Sequence, residues 1–280
     1  MSENLEFEKL IERAQSNPDE GLEVVADSLL EMNDPRAEMI RLERKIEGIE
    51  GDDDLSLLRD ALQKKLQLAI SQFESRFHEN FHQDRFSVKS WKRGFINTIQ
   101  VAHGSPDSVR QVLESLEGSL ITRLIYSPRS TQELHELLEI PAMQRIRHLH
   151  ITAYDGDGVG LLAASSSLPS LTSLSIWGHK YKLSDSDAEM LAQMEKLRVL
   201  EIRFANLTGH GALALIQGLP NLVVLDLMNN KLRSPGAHLL AQDADKNNLD
   251  FLNLEGNHVY PTAKRELWRS PYFQDTIVNF

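Results

Sequence analysis

The most specific chemical pattern in the chain is His78-Glu79-Asn80-Phe81-His82. On a helix, imidazoles four residues apart face one side and can hold a zinc ion, with the glutamate as base for a zinc-bound water. A zinc-dependent hydrolase also needs a third ligand. No H-x-x-G-x-x-H extension follows, and Glu114 or Glu117 would have to reach in from another element. The pentad also ends an amphipathic run in which Phe73, Phe77 and Phe81 are wanted for packing. The expectation is that His78 and His82 bind no zinc. Asp155-Gly156-Asp157-Gly158 opens like a calcium loop, but Val159 in the fifth position and Ser166 in the twelfth, where a bidentate glutamate is required, argue against it. Asp52-Asp53-Asp54 reads as a solvated loop and helix cap before Leu55. No serine, histidine and aspartate share a spacing that supports a triad. The chain is therefore read as no enzyme, with no cofactor and no metal.

The elements that would position any site repeat themselves. The pattern apolar-x-x-apolar-x-apolar recurs at Ile96/Ile99/Val101, Ile121/Leu124/Tyr126, Ile146/Leu149/Ile151, Leu171/Leu174/Ile176, Leu197/Leu200/Ile202, Leu222/Leu225/Leu227 and Leu249/Leu252/Leu254, with first positions 25, 25, 25, 26, 25 and 27 residues apart. Alternation along a strand turns these residues inward and the residues between them outward. Capped amphipathic stretches lie between the strands, as at Ser105-Pro106-Asp107 and in the Ser184-x-x-Asp187 box, so the chain returns from strand to strand through helices. Asn230 and Asn257 stand eight residues after the first apolar position, where they can bond backbone groups orphaned at a strand end.

This spacing is the leucine-rich-repeat signature, and units of this length resemble the ribonuclease-inhibitor-like subclass. The resemblance implies an α/β solenoid with parallel strands on the concave face and helices on the convex face. About seven units span residues 91–260, and residues 261–280 form a C-terminal cap. Solenoids display surfaces, so the expected function is non-catalytic protein–protein interaction. Parallel strands about 4.8 Å apart would place Trp177, Arg203 and Met228 side by side, with Phe204 adjacent. Glu201 and Asp226 add an acidic edge, and His148 and His150 extend the same face. These eight residues are the candidate partner-binding set. The competing reading has Trp177 folding over a neighbouring repeat while Arg203 neutralises Glu201 or Asp226. Two alternatives to protein binding remain: a regulator of a small GTPase, by analogy with helix-containing solenoids, and the zinc hydrolase.

Residues 1–90 show helical periodicity at Phe7/Leu10/Ile11/Ala14, at Leu22/Val25/Ala26/Leu29/Leu30 and from Leu55 to Phe77, with a further helix starting at Asp34-Pro35. Asn17-Pro18-Asp19, Val25-Ala26-Asp27-Ser28-Leu29-Leu30-Glu31, Asn33-Asp34-Pro35-Arg36-Ala37-Glu38 and Trp91-Lys92-Arg93-Gly94-Phe95 resemble the bacterial repeat-companion domain that precedes leucine-rich repeats. Ser28 replaces that pattern's tryptophan, and Asn33 and Ala37 replace two glycines. The resemblance spans residues 5 to about 101 and implies an all-α N-terminal domain over 1–90, with no activity to carry over. The 280 residues contain 41% hydrophobic and 25% charged side chains and no cysteine, which fits a folded protein in a reducing compartment, and cytoplasm is the expected location. A net charge of -11 without a segregated basic patch argues against nucleic acid and anionic membranes as partners.

Overall fold

The computed structural model of the chain describes residues 7, 9–12, 14–15, 18–32, 34, 36–80, 86–102, 104–115, 118–152, 158–178, 183–244 and 248–280, with side chains except at 18–20 and 75–80. It divides into two compact units, Met1–Ala102 with Asp107–Arg123 and His103–Pro106 with Leu124–Phe280.

In the first unit, residues 9–12 and 14–15 are helical and are followed by α1 (Pro18–Glu31), α2 (Ala37–Glu47) and α3 (Ser56–Asn80). The apolar stripes of the first two helical segments meet Ile40, Phe95 and Leu120 in one core. Asp34 Oδ1 accepts the Arg36 N–H at 2.8 Å just before α2, and Asp52 caps the short 3-10 turn ahead of α3. Strand β1 (Phe86–Lys92) begins inside the span expected to be helical and pairs antiparallel with β2 (Phe95–Val101). The two residues between them, Arg93 (φ 52) and Gly94 (φ 77), both adopt positive φ, the combination that lets a two-residue turn match the twist of a hairpin. A Cβ on Gly94 would sit 2.7 Å from the Cβ of Arg36, so this position also needs glycine for contact. α4 (Pro106–Glu114) starts at the expected proline.

Arg93 holds the hairpin to the helices. It is 7% exposed. Its Nε lies 2.6 Å from Glu23, its Nη2 2.6 Å from Glu47, and its backbone N–H donates to Glu43 at 2.6 Å. Partial burial pushes the Glu23 carboxyl up, but hydrogen bonds from Arg44 and Arg93 outweigh it and bring it below the usual range. Arg36 is bidentate to Asp34 and lies over the Phe95 ring at 4.8 Å. Trp91 donates to Glu74 at 2.9 Å and meets Phe73 edge to face. Of the motif residues, Asp34, Arg36 and Phe95 thus pack together in this unit.

The second unit alternates β3 (Arg123–Tyr126), α5 (Thr131–Leu138), β4 (His148–Thr152), α6 (Val159–Ala164), β5 (Ser173–Trp177), α7 (Asp185–Leu191), β6 (Val199–Arg203), α8 (Gly209–Gly218), β7 (Val224–Asp226), α9 (Arg233–Asp243), β8 (Phe251–Asn253), α10 (Pro261–Arg269) and β9 (Ile277–Asn279). The strands follow chain order, and each pair from β4 to β9 is parallel. Equivalent residues stand in register: Leu149, Leu174, Leu200, Leu225 and Leu252 form one continuous row, each at most 1% exposed. This is an α/β, solenoid-like arrangement. Every inward position named from the sequence is buried.

Consecutive helices from α5 to α10 pack on one another. α8 and α9 come so close that a Cβ on Gly209 would lie 2.3 Å from the Cα of Gly236. The Ser184–Asp187 capping box forms as expected. The segment expected only to cap the array adds a further helix and strand, α10 and β9, of which β9 extends the parallel sheet.

Short strands leave carbonyls unpaired where they end, and asparagines collect them. Asn257, 1% exposed, donates from Nδ2 to Leu227 O at 2.7 Å and Leu254 O at 3.1 Å, and its Oδ1 accepts the Leu232 N–H at 3.2 Å. Asn230 repeats the arrangement one strand earlier with Ile202 O, Leu227 O and Leu207 N. An unsatisfied buried carbonyl or N–H costs about 1–3 kcal/mol. Asn257→Leu is therefore expected to lower the unfolding free energy by about 3 kcal/mol in urea denaturation, and a loss below about 1 kcal/mol would remove the asparagine from this role.

Candidate functional site

Parallel pairing sets out rows on the face of the second unit that the inward leucines leave open. One row runs His148, Ser173, Val199, Val224, Phe251 and Ile277, and the next His150, Ser175, Glu201, Asp226, Asn253 and Asn279. A third begins Thr152, Trp177, Arg203. It leaves strand geometry there, because β7 and β8 stop at Asp226 and Asn253. Met228 consequently reaches this region from the turn after β7. Its carbonyl accepts the Phe204 N–H at 3.2 Å, which ties the two turns together.

Trp177 lies between His150 of β4 and Arg203 of β6. Its ring centroid is 4.6 Å from that of His150, at an interplanar angle of 61°. The Arg203 guanidinium carbon sits 4.8 Å from the Trp177 ring, within cation–π range. Glu201 Oε2 accepts from Ser175 Oγ at 3.1 Å and Trp177 Nε1 at 3.3 Å, and Arg203 Nη2 lies 3.6 Å away as a longer ion pair. The same Nη2 makes its shorter ion pair, 2.7 Å, with Asp226 Oδ2, while Asp226 Oδ1 accepts the Met228 N–H at 2.9 Å. Asp226 is 4% exposed, so Arg203 answers a buried carboxylate. Arg203 thus pairs with Asp226, as the competing reading expected, and Trp177 remains 38% exposed.

Phe204 adds strain to the same place. It is 42% exposed and has φ 57. The equivalent positions of the next two repeats are Asn229 (φ 56) and Gly256 (φ 71), the residue types that tolerate left-handed backbone. A bulky aromatic there costs about 1 kcal/mol or more, and such costs concentrate at functional sites. Aligning the last three repeats would have exposed this signal, since phenylalanine stands where the next two have asparagine and glycine. Ser175 was also missed as a participant. Its position on the open face was legible, but its bond to Glu201 depends on how that longer side chain turns.

His148 is half-buried opposite Ser173. His150 is more constrained: its Nε2 is buried without a hydrogen-bond partner among the described residues. Burial pulls its pKa below 6.5; Glu201 opposes that shift and Arg203 reinforces it.

His82 and Phe81 lie outside the described residues, as do Glu117 and Asp155-Gly156-Asp157, while His78 and Glu79 lie within α3 without described side chains. Among the described residues, no group of three or more His, Asp or Glu side chains is placed to hold a metal ion, and no helix is long and apolar enough to cross a membrane. No protein-family model matches the chain, and a search of curated proteins finds no significant relative.

The unfolded chain binds a proton at His150 more readily than the folded one does. The stability tied to this group is thus fully present above about pH 6.5 and is lost as pH falls through the lower folded value. An NMR titration of the His150 ring should give a midpoint below 6.5, and a midpoint at or above it would mean that the ring is not desolvated as described.

Proposed function

We propose that the chain is a leucine-rich-repeat protein of the ribonuclease-inhibitor-like kind with a repeat-companion-type N-terminal domain. In this reading it acts in the cytoplasm as a non-catalytic module that binds another protein through the concave strand face. The repeat assignment is supported by the in-register leucine row and the buried asparagines. The N-terminal assignment is supported by the meeting of its motif residues Asp34, Arg36 and Phe95. Absence of cysteine and a net charge of -11 favour a reducing compartment and a partner that is neither nucleic acid nor an anionic membrane.

One observation carries the binding reading: Trp177 of β5 stands in register with Arg203 of β6 and remains 38% exposed, and the residue that follows Arg203, Phe204, is 42% exposed. Glu201, Asp226 and Arg203 fix the Trp177 ring, so little side-chain freedom is left to lose on association. Large, pre-oriented aromatics beside an arginine are the residue types that dominate interface energetics.

The test compares wild-type protein with Trp177→Ala and with Phe204→Asn in partner capture, followed by affinity measurement on the partner obtained. Trp177→Ala should weaken binding by about 2 kcal/mol or more while changing stability by no more than about 1 kcal/mol. Unchanged binding when Trp177, Arg203 and Met228 are all alanine would defeat the proposal. Stoichiometric zinc lost in a His78→Ala/His82→Ala double variant would favour the hydrolase instead. Phe204→Asn gives a second, opposed readout: the protein should become more stable by up to about 1 kcal/mol as the left-handed strain is relieved, yet bind its partner less well. A variant that is both less stable and fully competent would show that Phe204 serves the fold alone.

A further inference from the structure

A cavity of about 460 Å³ opens within the first unit between α3 and β1, a volume in the range of small-molecule sites. Leu66, Ile70, Val88 and Trp91 form apolar walls, and the carboxylates of Glu43 and Glu74 line the same space. Each carboxylate has one oxygen engaged and one left over among the described residues. Glu43 Oε2 accepts from the Arg93 N–H at 2.6 Å and from its Nη1 at 3.4 Å, whereas Oε1 has no protein donor. Glu74 Oε1 accepts Trp91 Nε1 at 2.9 Å, and its Oε2 is likewise unused. Lys89 also lines the cavity but is exposed and pairs with neither.

Glu43 is the informative member. Glu23 and Asp34 also sit beside arginines, and there the arginine wins, so both carboxyls fall below their usual range despite partial burial. The Glu43 side chain is only 12% exposed, and burial pushes its carboxyl up in spite of the Arg93 hydrogen bonds, with Glu47 adding like charge. Glu43 thus places in the cavity lining a mostly buried carboxylate of which one oxygen is without a donor among the described residues. A bare metal ion fits poorly, since two carboxylates supply too few ligands and the space and its apolar walls far exceed an ion's needs.

We propose that this cavity binds an organic cation, an ammonium or guanidinium head on an apolar stem, with Glu43 and Glu74 as counter-charges and Trp91 as the wall against which the stem or head lies. The cation would complete the hydrogen bonding of both free oxygens, and the indole offers it a π face or an apolar surface. The same chemistry is available from a free alkylamine and from a lysine or arginine side chain of a peptide.

Isothermal titration calorimetry on the full-length protein tests this with n-pentylamine, agmatine and the peptide acetyl-Gly-Lys-Gly-amide, using 1-pentanol as the neutral control. Saturable one-to-one binding of at least one cation and none of 1-pentanol is expected. Binding should weaken by about tenfold in Glu74→Gln, whose amide oxygen can still accept from Trp91, and by a similar factor in Glu43→Gln. The tighter of free amine and peptide identifies the source. Melting curves and circular dichroism of Glu74→Gln should match wild type, so a loss of binding there is not a loss of fold. Absence of saturable binding by all three cations into the millimolar range, equal binding of 1-pentanol, or undiminished affinity in both glutamine variants would overturn the proposal.

Discussion

Everything in the second unit depends on lateral burial between strands too short to stand alone. β7, β8 and β9 have 3 residues each, and β4 to β6 have 5. A strand of that size buries little by itself, so its leucines must find the equivalent leucines of both neighbours. In-register stacking of Leu149, Leu174, Leu200, Leu225 and Leu252 is the result. The near-constant repeat length follows, because one extra residue in a strand would turn its apolar set outward. Short strands also create the need that Asn230 and Asn257 meet, since the backbone groups just past each strand have no ladder to join.

The same register builds the open face. Once the leucines are aligned, the alternate residues are aligned as well, and Ser175, Glu201 and Asp226 become a lateral series across three strands. Their chemistry is then decided by reach. Arg203 extends to the buried Asp226 and only grazes Glu201, which leaves Glu201 free to hold the Trp177 indole and the Ser175 hydroxyl. A rigid aromatic surface results from electrostatics in the layer beneath it. Phe204 shows the cost side of this arrangement, an aromatic kept in a backbone conformation where the next repeats use asparagine and glycine.

The first unit is organised by charge. Arg93 draws carboxylates from α1 and α2 to the hairpin turn, and Arg36 stacks on Phe95 while locked to Asp34. Guanidinium suits both tasks because its fork matches carboxylates and its plane stacks on rings. The buried guanidiniums of Arg36 and Arg93 are both hydrogen-bonded and paired with carboxylates.

By itself the sequence determined which side of each strand faces inward, where the helices between strands begin, and which residues share the open face. Those properties follow from short-range periodicity, because alternation along a strand and caps at a helix start involve neighbours within a few residues. It was also enough to place the asparagines, whose need is set by the same local geometry. Other features required the tertiary structure. Strand β1 was hidden because its residues follow directly on a helical stripe, and β9 because Asp275 occupies the apolar position that would have announced it. Arg93 meets Glu23 and Glu43 across 70 and 50 residues of chain, a pairing that no local pattern encodes. Met228 left the expected row because β7 ends two residues earlier, and the burial of His150 depends on Trp177 from the next strand. Side-chain partners chosen by distance through space, rather than by spacing along the chain, were settled only when the strands came together.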